Sequence, residues 1–167
     1  TNHGVAHRHG IVFLLELPNG RRLLSIGWPG MVGTVTGMND RGLVLALNMA
    51  FATDLETNAT PMLFRLREAL ETESTISGAT HVMVSQARTF AANVLIVGAA
   101  EDRAVVLELS GRRHALVEMK SGIAITTNYY QALAIKGGAG GERQAILWRR
   151  LIRTGAATTP GDARRAS

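Results

Sequence analysis

Two asparagines stand where chemistry could be done. Asn48 closes the apolar run LVLALN and precedes Met-Ala-Phe; Asn128 follows GIAITT and precedes Tyr-Tyr-Gln. A carboxamide offers two N–H donors, and a buried one must find partners. Two such groups meeting at strand ends would form a cradle for the oxyanion of an acyl-transfer intermediate. The same pattern also suits two strand caps or Asx turns, and spacing alone leaves both readings open. The nucleophile is the harder question, because the chain has no cysteine. That composition rules out, within these residues, a thiol nucleophile, thiolate metal sites and disulfides. Thr1 carries a hydroxyl and an α-amine, the minimum for a terminal nucleophile, although it opens a loop of histidines and glycines. In that loop His3, His7 and His9 would share a helix face only if Gly4 and Gly10 allowed one; a plain loop is the expectation, with no metal. Trp28, ahead of Pro29-Gly30, is a candidate for the mouth of a pocket, with Met49 and Tyr129 beside the two asparagines as further substrate contacts. Trp148 reads as packing.

The elements that position these residues follow from periodicity. IVFLLEL and RRLLSIG flank Pro-Asn-Gly, a hairpin signature. TVTGM and LVLALN flank Asn39-Asp40-Arg41-Gly42, a second hairpin. Such unbroken apolar runs predict strands covered on both faces. After a polar loop over 52–60, Thr60 as N-cap and Pro61 as first residue start a helix through Thr72. A second short helix is expected from about Ser74, weakened by Gly78. NVLIVG, AVVLELS, HALVEM and GIAITTN then read as a four-strand meander, KGGAGG as a linker, and ERQAILWRRLIRTG as an amphipathic helix with Gly155 as C-cap. Strands in blocks with helices between them predict an α+β domain with mainly antiparallel sheets over residues 1–155, and a frayed basic tail over 156–167.

Net charge is +5 across 167 residues, but the segment from Arg143 holds six arginines and one aspartate, so the remainder is balanced. With no basic–aromatic interleaving, nucleic acid is not an expected partner. The apolar runs are too short for a bilayer and no signal peptide is recognisable, so a cytoplasmic protein is expected. Arginine outnumbers lysine sixteen to two, which points to a high-GC bacterial source.

The segment WPGMVGTVTGMNDRGLVLALN resembles N-terminal-nucleophile hydrolases of the isopenicillin N acyltransferase type (peptidase family C45), with bile salt hydrolases as more distant relatives. LFRLREALE, AANVLIVGAAEDRAVVLELS and GIAITTNYY follow in the order of that family, so the resemblance covers about residues 5–150. It implies an αββα sandwich and acyl-enzyme chemistry on small-molecule amides or thioesters. No cofactor would be needed, because a terminal amine acts as base. It also implies that Asn128 donates to the oxyanion, that Asn48 lines the same hole, and that Arg143 falls near the family's site arginine. Members carry their cysteine on a strand before an Arg-Asn-x-Asp segment and continue through further strands after the arginine helix. This chain has neither, so the resemblance implies an incomplete sandwich supplying the oxyanion half of a site. The alternative is a homologue without activity that binds a ligand or is purely structural. Self-association as a homo-oligomer is a further expectation.

Overall fold

A computed structural model describes residues 9–135 and 141–153. Seven strands run β1 (Ile11–Glu16), β2 (Arg22–Gly27), β3 (Thr36–Asn39), β4 (Leu43–Met49), β5 (Ala92–Gly98), β6 (Arg103–Leu109) and β7 (His114–Glu118). Each pairs antiparallel with its neighbours in chain order, a single continuous meander. Helices α1 (Met62–Thr72) and α2 (Ile76–Val84) separate β4 from β5, and α3 (Gly141–Arg153) comes last. This is the expected α+β class with an antiparallel sheet. Among the described residues there is one sheet, with α1 and α2 layered on one face.

The period of two explains the layering. Leu43 and Leu45 of β4, Val94 and Ile96 of β5, and Leu107 and Leu109 of β6 are fully buried against Met62, Leu66, Leu70, Ile76 and Met83 of the helices. Alternate residues face the other way. On β1–β3 that second face is open: Val12, Leu14, Ile26 and Met38 are exposed, so the expected cover on both faces is realised there on one side only. On β6–β7 the second face is covered. Val106, Val117, Ile123 and Ile125 gather with Trp148 of α3 around a small cavity of about 60 Å³, which places Trp148 in packing, as its helical spacing predicted.

Two local expectations change. Pro61, not Thr60, is the residue before α1; its ψ of 135° is extended and no side chain caps the helix. A proline ring fixes φ but leaves ψ free to turn the chain in. Thr75 caps α2, accepting the Gly78 N–H at 3.1 Å. The larger change is GIAITTN, which forms no strand. Beyond one bridge, Lys120 to Ile123, residues 124–135 run as irregular chain across the sheet. Thr1, His3, His7, residues 136–140 of the KGGAGG linker, Gly155 and the basic tail lie outside the described residues, while the linker's last glycine, Gly141, opens α3.

Candidate active site

The register places three polar side chains in one row. Asn48 of β4 pairs with Asn93 of β5, and Asn93 pairs with Glu108 of β6. Because Leu43 and Leu45 point to the helices, Asn48 points to the opposite face, and its cross-strand neighbours share that face. Polar groups here would be poorly placed in a bare apolar sheet. They are satisfied by the segment that failed to become a strand. The Asn93 carboxamide donates to the carbonyls of Thr127 at 2.8 Å and Tyr129 at 2.9 Å. The Glu108 carboxylate accepts the N–H groups of Gln131, of Ala132 at 2.9 Å and of Leu133 at 2.8 Å. The Tyr130 hydroxyl donates to the Leu109 carbonyl at 2.7 Å and the Gln131 side chain to the Ile125 carbonyl at 3.1 Å. Backbone groups that a ladder would have paired are thus paired with side chains, which meets the same accounting by another route.

That arrangement brings the two sequence-predicted asparagines together. Asn128 Nδ2 donates to the Met49 carbonyl at 2.6 Å, one residue from Asn48. Among the described residues the Asn48 carboxamide makes no hydrogen bond of its own, and the second N–H of Asn128 is not taken up. Met49 is 63% exposed and Tyr129 41%, so both flank the pair as apolar surface. Trp28 follows β2 at the same end of the sheet and is exposed; it stands two strands from β4, about 10 Å at the usual strand spacing. Arg143 lies exposed in the first turn of α3. Among the described residues no hydrogen bond ties it to Asn48 or Asn128. Thr1 lies outside the described residues, and no group of three or more metal-type side chains forms among them. No described helix is long and apolar enough to cross a membrane.

The loop leaving the site is stapled to the β6–β7 turn at the same end of the sheet. Asp54 accepts from Ser110 Oγ at 2.8 Å and from the N–H groups of Gly111 at 3.0 Å and Arg112 at 3.2 Å. Partial burial pushes its carboxyl up, but these three donors outweigh that and hold it below its ordinary value. A Cβ on Gly111 would collide with the Asp54 carbonyl, so only glycine lets the loop approach. Beside it Arg88 is buried, its guanidinium donating to the carbonyls of Ser110, Gln86 and Arg113; burial lowers its pKa despite the nearby Asp54. Burial, then the charges of Asp54 and Glu108, push the Tyr130 phenol up to about 12, which keeps it a neutral hydrogen-bond donor.

Sequence reasoning missed Asn93 and Glu108. The signal was present: Asn93 is the lone polar residue of β5 and Glu108 interrupts the apolar run of β6 after Arg103, and such a residue, when buried, must be paired.

Residues 6–146 match the family model described as acyl-coenzyme A:6-aminopenicillanic acid acyl-transferase. No curated protein matches the chain. Among solved structures, the fold resembles an N-acylethanolamine-hydrolyzing acid amidase ortholog from Caenorhabditis elegans (TM-score 0.57, 14% identity, 70% of this chain and 54% of that one). It also resembles a mutant conjugated bile acid hydrolase from Clostridium perfringens (TM-score 0.54, 13% identity, 86% and 49%). A third is penicillin V acylase from Agrobacterium tumefaciens (TM-score 0.54, 13% identity, 89% and 48%). The chain spans about half the length of these solved structures. At such identities they speak for the fold, while the family model matches most of the sequence. The chain belongs to the acyl-coenzyme A:6-aminopenicillanic acid acyl-transferase family, an N-terminal-nucleophile hydrolase relationship that its Gly-Met-Asn and Thr-Asn segments had already resembled.

Proposed function

We propose that this chain supplies the oxyanion-binding part of a site that transfers an acyl group from a small-molecule amide or thioester through an acyl-enzyme. The hydrogen bond from Asn128 to the Met49 carbonyl carries the reading. It sets the Asn128 carboxamide one residue from Asn48 at the end of β4, where the two amides would meet the negative charge that builds as a carbonyl is attacked. The attacking group is an N-terminal nucleophile, with its own α-amine as base. Family resemblance makes it a cysteine, and Thr1, with its hydroxyl and α-amine, is the alternative to be tested. Exposed Met49, Tyr129 and Trp28 offer the acyl part apolar contact. Arg143 is the position that the family resemblance assigns near the site arginine.

Turnover of a chromogenic acyl amide by the natural gene product tests this. Asn128→Ala is expected to lower kcat about 10²–10³-fold, the usual loss for one oxyanion donor. Thr1→Ala abolishes turnover only if Thr1 attacks. Unchanged kcat in Asn128→Ala would refute the site. Ligand-dependent stabilisation without any turnover would mark a binding protein instead.

A further inference from the structure

We propose that Asn93 is a positioning residue for Asn128, an inference that rests on the oxyanion reading above. Asn93 is 1% exposed. Both protons of its carboxamide are spent on the carbonyls of Thr127 and Tyr129, the two residues that bracket Asn128. Two acceptors so placed also fix which end of the amide faces them. The clamp therefore fixes the backbone on either side of Asn128, and with it the direction in which the Asn128 carboxamide leaves the chain.

No ladder does this work, because residues 124–135 pair with no strand. Glu108, directly across from Asn93, holds the next stretch through three backbone N–H groups. Asn93 is thus the anchor next to Asn128, and Glu108 the anchor beyond it. The residue type follows. Aspartate would set a carboxylate against two carbonyl oxygens beside a second carboxylate, and alanine would leave both carbonyls buried without a donor. Asn93 Oδ1 has no hydrogen-bond partner among the described residues. Buried orphan acceptors are rare, so the side chain is held in place for its donors.

The test joins activity to a signal that a merely structural residue would not move. In the unmodified, isotope-labelled chain, scalar couplings should connect Asn93 Nδ2 with the carbonyl carbons of Thr127 and Tyr129. In Asn93→Ala and Asn93→Asp the side-chain amide resonances of Asn128 should shift and lose dispersion, while the β4–β5 ladder amides stay protected from exchange. On an active gene product, Asn93→Ala should lower kcat about 10²-fold with KM little changed, as expected for a catalytic group displaced by about an ångström. Asn93→Ala combined with Asn128→Ala should be no slower than Asn128→Ala alone, because one residue acts through the other. Additive losses, or Asn128 resonances that stay put in both variants, would overturn the proposal. Should neither variant fold, absent couplings in the unmodified chain overturn it and present ones support it. A gene product with no turnover at all would remove the oxyanion reading, and the resonances would still decide whether Asn93 places Asn128.

Discussion

The β3–β4 hairpin has an asparagine at each end, and the two ends are built for different purposes. At the turn, Asn39 is buried and every hydrogen-bonding site on its carboxamide is used. It donates to the carbonyls of Leu70 at 2.9 Å and Glu73 at 2.8 Å, and accepts the N–H groups of Arg41 at 3.1 Å and Leu43 at 3.0 Å. Arg21 joins it there, donating to the carbonyls of Glu71 at 2.6 Å and Glu73 at 2.9 Å. Together they satisfy carbonyls at the C-terminus of α1, which the helix cannot pair by itself and whose partial negative charge favours a cation. At the other end of β4, Asn48 is only half-buried and its donors are unspent among the described residues. The same residue type is structural where its bonds are saturated, and under the proposed function it is available for chemistry where they are not.

The largest effect that could break this comparison belongs to the saturated end. Asn39→Ala removes four hydrogen bonds and strands buried backbone groups of α1 and β4, each costing about 1–3 kcal/mol. Stability should fall by about 3 kcal/mol or more in denaturant titration, with kcat unchanged per folded molecule. A loss below about 1 kcal/mol would mean that water replaces those bonds, and the turn would no longer count as the structural pole.

How far the residues announce this division differs from element to element. The first two hairpins are readable because their turn residues sit between apolar runs; Gly42 adopts the positive φ of 81° that such a turn requires. Helix α1 is readable from its apolar spacing. GIAITT is misread because its β-branched residues favour a strand, while the partners that hold it as irregular chain come from Asn93 on a strand more than thirty residues earlier in sequence. Tertiary hydrogen bonds overrode local preference there. Asn48 and Asn128 could each be picked out as the polar end of an apolar run. That Asn128 reaches the end of β4 could not, because its bond to the Met49 carbonyl spans 79 positions. The family resemblance supplied what periodicity did not.

A smaller effect separates the two ends by charge. The turn end is held by a neutral carboxamide and a guanidinium, whereas the loop leaving Met49 is stapled by the Asp54 carboxylate. Its folded-state pKa lies below the ordinary 3.8. A group depressed in this way contributes stability above its unfolded pKa, and that contribution is lost as pH falls through the folded value. Acid should therefore loosen the 50–60 loop before the hairpin turn. On stepping from about pH 5 to about pH 3, hydrogen-exchange protection, relative to the intrinsic rate at each pH, should fall first at Gly111 and Arg112. Asp54→Asn should remove that pH dependence while lowering stability near neutrality. Earlier exchange at Leu43, bonded to Asn39, would reverse the assignment.

The smallest stability effect is expected at Asn48, and it sharpens the comparison most. Asn48→Ala removes a half-buried carboxamide that holds nothing in place among the described residues, and β4 keeps its ladder to β5 through backbone atoms alone. Stability should change by no more than about 0.5 kcal/mol, the range for substitutions that break no cap, core or network. Turnover should nevertheless drop, because a donor near the oxyanion is lost. Asn39→Ala and Asn48→Ala then make a matched pair on one hairpin, the first costing stability and sparing kcat, the second the reverse. If Asn48→Ala instead destabilises as strongly as Asn39→Ala, its amide is already committed to the fold, and the oxyanion cradle shrinks to Asn128 alone.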